Sequence, residues 1–204
     1  MPTVLVPLGA SLHTHLGRCS GISFIDSTAL AVCRNPRIHQ HQVSAGRAAR
    51  GKTSVGWCYG FKLHLVVHDQ GKLLAFCLTP GNVEDRRPVP QLVIGLVGKL
   101  FGDQGSLSQP LAEQLLMTHG LHLITKLRKQ MRTRLLAWSD TLLLRKRAII
   151  ETITDQLKHI YQIEHSRHRS PINFLVNLVA GLIAYCHQPK KPSLGLQLLT
   201  LPEA

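Results

Sequence analysis

Acidic residues are scarce in this chain. Its 204 residues include 11 Asp and Glu against 24 Lys and Arg, which leaves a formal net charge of +13. An excess of this size destabilises a compact monomer by self-repulsion, and binding to a polyanion relieves that repulsion. Nucleic acid is the leading candidate for the partner, and an anionic membrane surface is the weaker one.

Long hydrophobic runs and paired cysteines are also missing. The longest apolar run, residues 172–186, is interrupted by Asn173 and Asn177 and is too short to span a bilayer, so it predicts a buried helix. The first 16 residues lack the basic start and the cleavage site of a signal peptide. Five scattered cysteines form no CxxC pair, which argues against a disulfide framework or zinc site and favours reduced thiols in the cytoplasm.

The hydrophobic pattern divides the chain into three parts. Residues 1–20 have no clear period and predict a poorly determined lead-in, residues 21–188 predict one domain, and residues 189–204 predict a frayed tail. Within the domain, strands are expected at 21–26, 61–67, 73–79, 99–103 and 121–127, and helices at 89–97, 110–119, 134–163 and 171–187. This order predicts an α/β fold, in which three antiparallel strands and then parallel strands form a mixed sheet flanked by helices.

Three carboxylates are hard to explain as solvated surface. Eight of the 11 acidic residues fall in turns, at helix ends, on polar helix faces or in the tail, and the remaining three are Asp26, Asp103 and Glu151. Asp26 and Asp103 end apolar strands, and Glu151 lies in an amphipathic helix. Singly, each fits an N-cap or a surface carboxylate equally well. Together they predict a site for Mg²⁺ or Mn²⁺, which prefer oxygen ligands, and two such ions stabilise both oxygens of a phosphodiester displacement.

Two cations accompany Glu151 on its helix. Arg147, Glu151 and Lys158 fall within roughly 40° of one another at about 100° per residue. One interpretation is an ion pair between Arg147 and Glu151 that merely stabilises the helix. The other is that Arg147 and Lys158 bind DNA phosphates beside the metal site.

Basic segments elsewhere suggest further contacts with DNA. Residues 34–56 predict a long basic loop that faces solvent or DNA. In the patch at 164–169, Arg167 and Arg169 are expected to contact the DNA backbone, because phosphate contacts require positive charge without fixed geometry. Lys62 and His64, on one face of the hairpin strand, are interpreted as solvated surface, with contact to DNA as the alternative.

Several blocks of the sequence resemble the DDE transposases of bacterial insertion sequences. The resemblance rests on Phe24-Ile25-Asp26-Ser27-Thr28, on Leu100-Phe101-Gly102-Asp103-Gln104-Gly105, and on Arg147, Glu151 and Lys158 at their spacing. It is narrower to the branch that carries a tyrosine-arginine-glutamate-lysine signature. The chain departs from that branch at Leu144 and Ser106, where tyrosines are expected. Members of the branch also begin with a further DNA-binding region, so the resemblance suggests an N-terminally truncated copy.

The resemblance implies an RNase H-like fold with two Mg²⁺ (or Mn²⁺) ions, and a transposase that cleaves transposon ends and transfers strands into target DNA. Asp26, Asp103 and Glu151 match the catalytic, metal-binding triad, and Arg147 and Lys158 match the cations near the transposon end. The implied partner is double-stranded DNA, held by a homodimer when two ends are synapsed, in the bacterial cytoplasm with the nucleoid. The alternatives are a related RNase H-like nuclease and a catalytically impaired relic that only binds DNA.

Overall fold

The computed structural model describes residues 2–53, 56–103, 109–125, 137–164 and 168–195. A six-stranded sheet forms its centre, and helices pack on both of its faces. The strands are β1 (Ile22–Cys33), β2 (Ala49–Thr53), β3 (Gly56–His68), β4 (Leu73–Pro80), β5 (Gly98–Gly102) and β6 (Leu121–Thr125). The helices are α1 (Pro2–His15), α2 (Val89–Leu92), α3 (Gln109–His119), α4 (Trp138–Arg145), α5 (Ala148–His159) and α6 (Pro171–His187), with a 3₁₀ helix at Asn35–Gln40.

The sheet is mixed, as its sequence pattern predicts. Strand β3 pairs antiparallel with β1 on one side and with both β2 and β4 on the other. Strands β5 and β6 then extend the sheet in parallel, so that the order is β2-β3-β1-β5-β6 with β4 beside β3. The predicted α/β class, with antiparallel and then parallel strands in a mixed sheet flanked by helices, is confirmed, and it is consistent with an RNase H-like fold.

Alternation along the central strands gives the sheet two apolar faces. Phe24 and Leu65 belong to the core that packs against α1, α5 and α6. Ile25 and Val66, one position along each strand, belong to the second core, which packs against α2 and α3. Because side chains alternate between faces with a period of two, neighbouring residues of β1 serve different cores.

Two helices have ends at residues that commonly cap helices. Ser170 caps α6, since its hydroxyl oxygen accepts a hydrogen bond from the backbone N–H of Ile172 at 3.2 Å. Gly120 follows α3 with a φ of 62°, a conformation in which glycine ends helices at little cost. In the part of the chain that the structure describes, no helix is long and apolar enough to cross a membrane.

The predicted long helix at 134–163 is wrong where the structure describes it, because the helix is broken between α4 and α5. Leu144 and Ile149 are both buried, yet they would lie about 140° apart on one straight helix. The break at Lys146 and Arg147 lets both side chains reach the core. Residues 134–136 of the prediction lie outside the described residues.

Other segments contain more structure than their sequence suggests. The lead-in includes helix α1, which packs on α6 and buries Leu12. The predicted loop at 34–56 includes the 3₁₀ helix and β2, and β1 continues to Cys33 because β3 pairs with it over that length. The helix expected at 89–97 is only four residues long, and Gly95 adopts a φ of 79° after it.

Candidate active site

The fold brings the two predicted strand-end aspartates level with each other. Strands β1 and β5 are parallel neighbours, and Phe24 pairs with Phe101 in their register. Asp26 and Asp103 each lie two residues further along, on the side where the parallel strands end. Carboxyl ends of parallel strands are where α/β sheets commonly place their sites.

Helix α5 supplies the third carboxylate and a cation. Arg147 begins the helix and places its guanidinium among all three predicted acids. Its Nη2 lies 2.9 Å from Oε1 of Glu151 and 4.0 Å from Oδ1 of Asp103, and its Nη1 lies 3.7 Å from Oδ1 of Asp26. Four of the seven predicted site residues, the three acids and Arg147 itself, therefore lie together.

Asp26 is the most buried of the three acids, with 25% of its side chain exposed against 53% for Asp103 and 56% for Glu151. Burial raises the pKa of Asp26 from its ordinary value of 3.8 to about 6. The Arg147 guanidinium and a backbone hydrogen bond from Ser27 lower this pKa, whereas the charges of Glu151 and Asp103 raise it further. The net rise indicates that Arg147 alone does not compensate the buried negative charge.

The guanidinium of Arg147 retains a donor for a ligand. Its side chain is 15% exposed, and Nη1 is buried with no hydrogen-bond partner among the described residues. A buried donor without an acceptor is costly, and such groups are rare in folded proteins. An incoming oxygen anion would satisfy it. Within the same described ranges, no three His, Cys, Asp or Glu side chains are arranged to hold a metal ion.

A family model described as "Transposase DDE domain" matches residues 16–171. The chain belongs to the DDE transposase family. The match spans both strand-end aspartates, the acidic helix α5 and the start of α6.

Comparison with solved structures finds a chain of the simian T-cell lymphotropic virus intasome, determined by cryo-EM in complex with PP2A regulatory subunit B56 gamma. The two are 12% identical with a TM-score of 0.38, and the match covers 80% of this chain and 49% of the viral one. The transposase domain thus spans about half the length of that viral chain. Comparison with curated proteins finds no match.

Lys158 lies about three helical turns beyond Arg147 and has different partners. Its Nζ donates a hydrogen bond to the carbonyl oxygen of Ala29 at 2.8 Å and lies 3.1 Å from Oε2 of Glu164. Glu164 in turn accepts a hydrogen bond from the backbone N–H of Ala31 at 3.2 Å. This network fastens α5 to β1 just after Asp26, and the ammonium group is half-buried within it.

The remaining predicted residues are less informative. Arg169 is exposed just before the cap of α6, where it is accessible to a ligand. Arg167 and Ser106 lie outside the described residues. Leu144, at the position of the signature tyrosine, is 5% exposed and belongs to the core that supports α5.

A second polar network lies on the opposite face of the sheet, where the interpretation of Lys62 and His64 as solvated surface is wrong. His64 is 2% exposed and its Nε2 lies 2.9 Å from Oγ1 of Thr79. Asp85 accepts a hydrogen bond from Ser27 at 2.7 Å and pairs with Lys62 at 2.9 Å. Burial lowers the pKa of His64 to about 4, so the ring is neutral at pH 7.

This network holds the segment after β4 against the strand that carries Asp26. Asp85 is one of the eight acidic residues that the sequence pattern explains without a site, and nothing in that pattern connects it with Asp26. One signal was present: Lys62 and His64 alternate in phase with Val66, which is fully buried on the same face of β3. Continuing that alternation would have placed both polar side chains under a covering segment.

Proposed function

We propose that this domain catalyses metal-dependent cleavage of transposon DNA ends and transfer of the cut strands into target DNA. The observation that carries the proposal is the meeting of Asp26, Asp103 and Glu151, from three separate elements, around Arg147. Such convergence is what a phosphoryl-transfer site requires, because its ligands must come from several directions.

The donor set fits a hard divalent cation. DDE transposase domains generally use divalent metal ions, and three carboxylates supply the oxygens that Mg²⁺ or Mn²⁺ prefers. The raised pKa of Asp26 is compatible with this fit, since burial disfavours its ionised form despite Arg147, and a cation bound beside it would favour that form. Two ions held by these three residues would stabilise the charge that develops on the attacking and leaving oxygens.

Arg147 is proposed to bind the DNA phosphate next to the reacting bond. Its planar guanidinium is suited to phosphate oxygens, and its Nη1 donor has no hydrogen-bond partner in the described part of the protein. In the metal-free protein, the guanidinium supplies positive charge among the carboxylates. With cations bound to the carboxylates, the guanidinium would no longer be needed to offset their charge, and its donors would be available to DNA.

Lys158 is better explained as a positioning residue. Its ammonium group is occupied by Ala29 and Glu164, and this contact fixes the part of β1 that follows Asp26. Direct phosphate binding by Lys158, as the resemblance implies, would require that network to open. We therefore assign the phosphate contact near the carboxylates to Arg147, with Arg167 and Arg169 as further contacts to the backbone of duplex DNA.

A second candidate function is a DNA-binding protein with impaired catalysis. One observation favours it: Leu144 is buried in the core and offers no hydrogen-bonding group at the position of the signature tyrosine. Under this alternative the domain binds duplex DNA, and Arg147 remains the cation that pairs with the carboxylates. The two candidates differ in turnover, so turnover is what must be measured.

The test is nicking of supercoiled plasmid DNA with Mg²⁺ or Mn²⁺, comparing the wild type with Asp103→Asn and Glu151→Gln. Asp155→Asn is the matched control, because Asp155 is an exposed carboxylate four residues after Glu151 on α5. We expect metal-dependent nicking that both site variants lose by at least a hundredfold and the control retains. Joining of labelled ends would then separate a transposase from a nuclease. Nicking that survives both site substitutions would refute the assignment.

A further inference from the structure

The hairpin formed by β2 and β3 presents a basic and aromatic face that the proposed catalytic site does not use. In the pairing of these strands, Arg50 lies opposite Tyr59 and Lys52 lies opposite Trp57. Directly opposed residues point to the same side of a sheet, so these four side chains share one face. Arg50 and Lys52 are exposed, and Trp57 is 52% exposed.

The other face of the hairpin is built to pack closely on the protein. Gly51 alternates with Arg50 and Lys52, and a Cβ at this position would collide with the backbone carbonyl of Gly81. The hairpin therefore lies against the segment that follows β4 through its small residues. Its basic face is left pointing away from the protein, and a ligand can approach it.

The cations of this region lack internal neutralisation. No Asp or Glu occurs between Asp26 and Asp69 in the sequence. The ion pairs among the described residues all involve Lys, Arg or His side chains outside residues 34–52. Within the described ranges, none of the exposed Lys and Arg side chains of residues 34–52 therefore takes part in an ion pair. These cations are Arg34, Arg37, Arg47, Arg50 and Lys52.

Trp57 holds one of these cations in place. The guanidinium carbon of Arg50 lies 5.0 Å from the centre of the Trp57 ring, within the range of a cation–π interaction. The carbonyl oxygen of Trp57 accepts a hydrogen bond from Asn35 at 2.7 Å, which links the hairpin to the 3₁₀ helix. An arginine braced on an exposed aromatic ring loses less side-chain freedom when it binds a phosphate.

The hairpin lies beyond Asp26 in the direction in which β1 runs, at the same end of the sheet as the carboxylates. From Asp26, strand β1 runs seven residues to Cys33, which pairs with Tyr59 at the base of the hairpin. At about 3.3 Å per residue, the separation is roughly 23 Å. A duplex advances about 3.4 Å per base pair, so one DNA molecule reaches both places within about seven base pairs.

We propose that Arg50 and Lys52, with Trp57 as the positioning residue for Arg50, bind the phosphate backbone of duplex DNA that extends beyond the catalytic carboxylates. The inference rests on the proposed function only for the direction in which the DNA runs. Contact through phosphates makes the site insensitive to base sequence and sensitive to salt. It serves to hold flanking DNA in register while the carboxylates act.

The experiment measures binding of a 30-base-pair duplex by fluorescence anisotropy from 0.05 to 0.3 M salt, in EDTA. The test protein carries Arg50→Gln and Lys52→Gln. Its matched control carries Lys72→Gln and Lys190→Gln, which removes the same charge from exposed positions at the opposite end of the sheet. We expect the test variant to lower the slope of log affinity against log salt by about 1.8, equivalent to roughly 60-fold weaker binding at 0.1 M. A slope equal to that of the control overturns the proposal.

A second comparison tests the role of Trp57. Trp57→Ala should weaken binding about two- to fivefold, the range of an exposed cation–π contact, and Trp57→Phe should recover part of that loss. Trp138→Ala is the control, because Trp138 is 81% exposed on α4. Equal binding by Trp57→Ala and the wild type would remove Trp57 from the site. Neither comparison involves divalent metal or cleavage, so a negative nicking assay leaves this inference standing, and its failure leaves the catalytic proposal standing.

Discussion

Replacing Asp26 with asparagine should make the metal-free protein more stable at neutral pH while abolishing its catalytic site. The pKa of Asp26 is raised from 3.8 to about 6, chiefly by burial and in spite of Arg147. A carboxyl with this shift binds its proton more tightly in the folded state than in the unfolded state. The contribution of this tighter proton binding to the free energy of unfolding is therefore complete below pH 3.8 and is lost as the pH rises through about 6.

The size of the effect follows from the same pKa. The interval between 3.8 and about 6 corresponds to about 3 kcal/mol of unfolding free energy at pH 7.5. Only 25% of the Asp26 side chain is exposed, so solvent screening reduces this value little. Asp26→Asn keeps the shape and removes the charge. It should match the wild type at pH 4 and exceed it by about 3 kcal/mol at pH 7.5.

The assay is urea unfolding of both proteins between pH 4 and 8 in EDTA, with the result expressed as the difference between them. Taking the difference is essential because His64 changes the stability of both proteins over an overlapping pH range and in the opposite direction. Asp155→Asn gives the effect of removing one exposed carboxylate from the chain. Addition of Mg²⁺ at pH 7.5 should then stabilise the wild type and not Asp26→Asn, because binding to the folded state raises stability.

A difference between the two proteins that stays constant from pH 4 to 7.5 would refute the reasoning. It would mean that the Asp26 carboxylate is compensated without metal, and that Arg147 neutralises the whole site. A difference that shrinks as the pH rises would show a stabilising charge at Asp26. Either result would remove the electrostatic support for a cation site while leaving the position of the carboxylates unchanged.

Two further predictions concern the scaffold. His64 has its pKa lowered to about 4 from 6.5 by burial, so the wild type should lose up to about 3 kcal/mol as the pH falls across that interval, and His64→Gln should reduce that loss in the same urea titration. Identical profiles of unfolding free energy against pH for the wild type and His64→Gln would contradict the burial of a neutral His64 ring beside Thr79. Ser170→Ala removes the cap of α6 and should cost about 1 kcal/mol in thermal unfolding, whereas Ser170→Asp should retain most of the stability.

The two aspartates of the proposed site were predictable because each follows a short run of apolar strand residues. In the structure β1 continues past Asp26 to Cys33, and the parallel pairing of β1 with β5 brings Asp26 and Asp103 together. Glu151 followed from the amphipathic period of its helix. The central position of Arg147 was not predictable in the same way. It depends on the break between α4 and α5, which exists because Leu144 and Ile149 must both be buried, and burial of that kind is decided by the rest of the fold.

The second network shows a different limit. Lys62 and His64 are polar, and the sequence alone favours placing polar side chains in water, since burial without partners is costly. Their partners are Asp85, Val83 and Thr79, which lie 15 or more positions away along the chain and arrive only when the segment after β4 folds over the sheet. No local pattern encodes that arrival. Helix α1 was not predicted for a related reason. Its packing partner, α6, lies at the other end of the described chain, so no neighbouring residues indicate the contact.

The scarcity of acids, which was the first property of the sequence, also determines where the positive charge remains. Among the described residues, four of the buried or half-buried carboxylates are matched by Lys or Arg: Asp26 by Arg147, Asp85 by Lys62, Asp140 by Lys99 and Glu164 by Lys158. Each pair cancels charge inside the fold. The surplus therefore lies on surface cations, and a dense group of them lies on the 34–52 segment, at the end of the sheet that carries the proposed catalytic carboxylates. Under the proposed function, DNA attracted to these cations would be brought to the carboxylates, whose own negative charge would otherwise repel it.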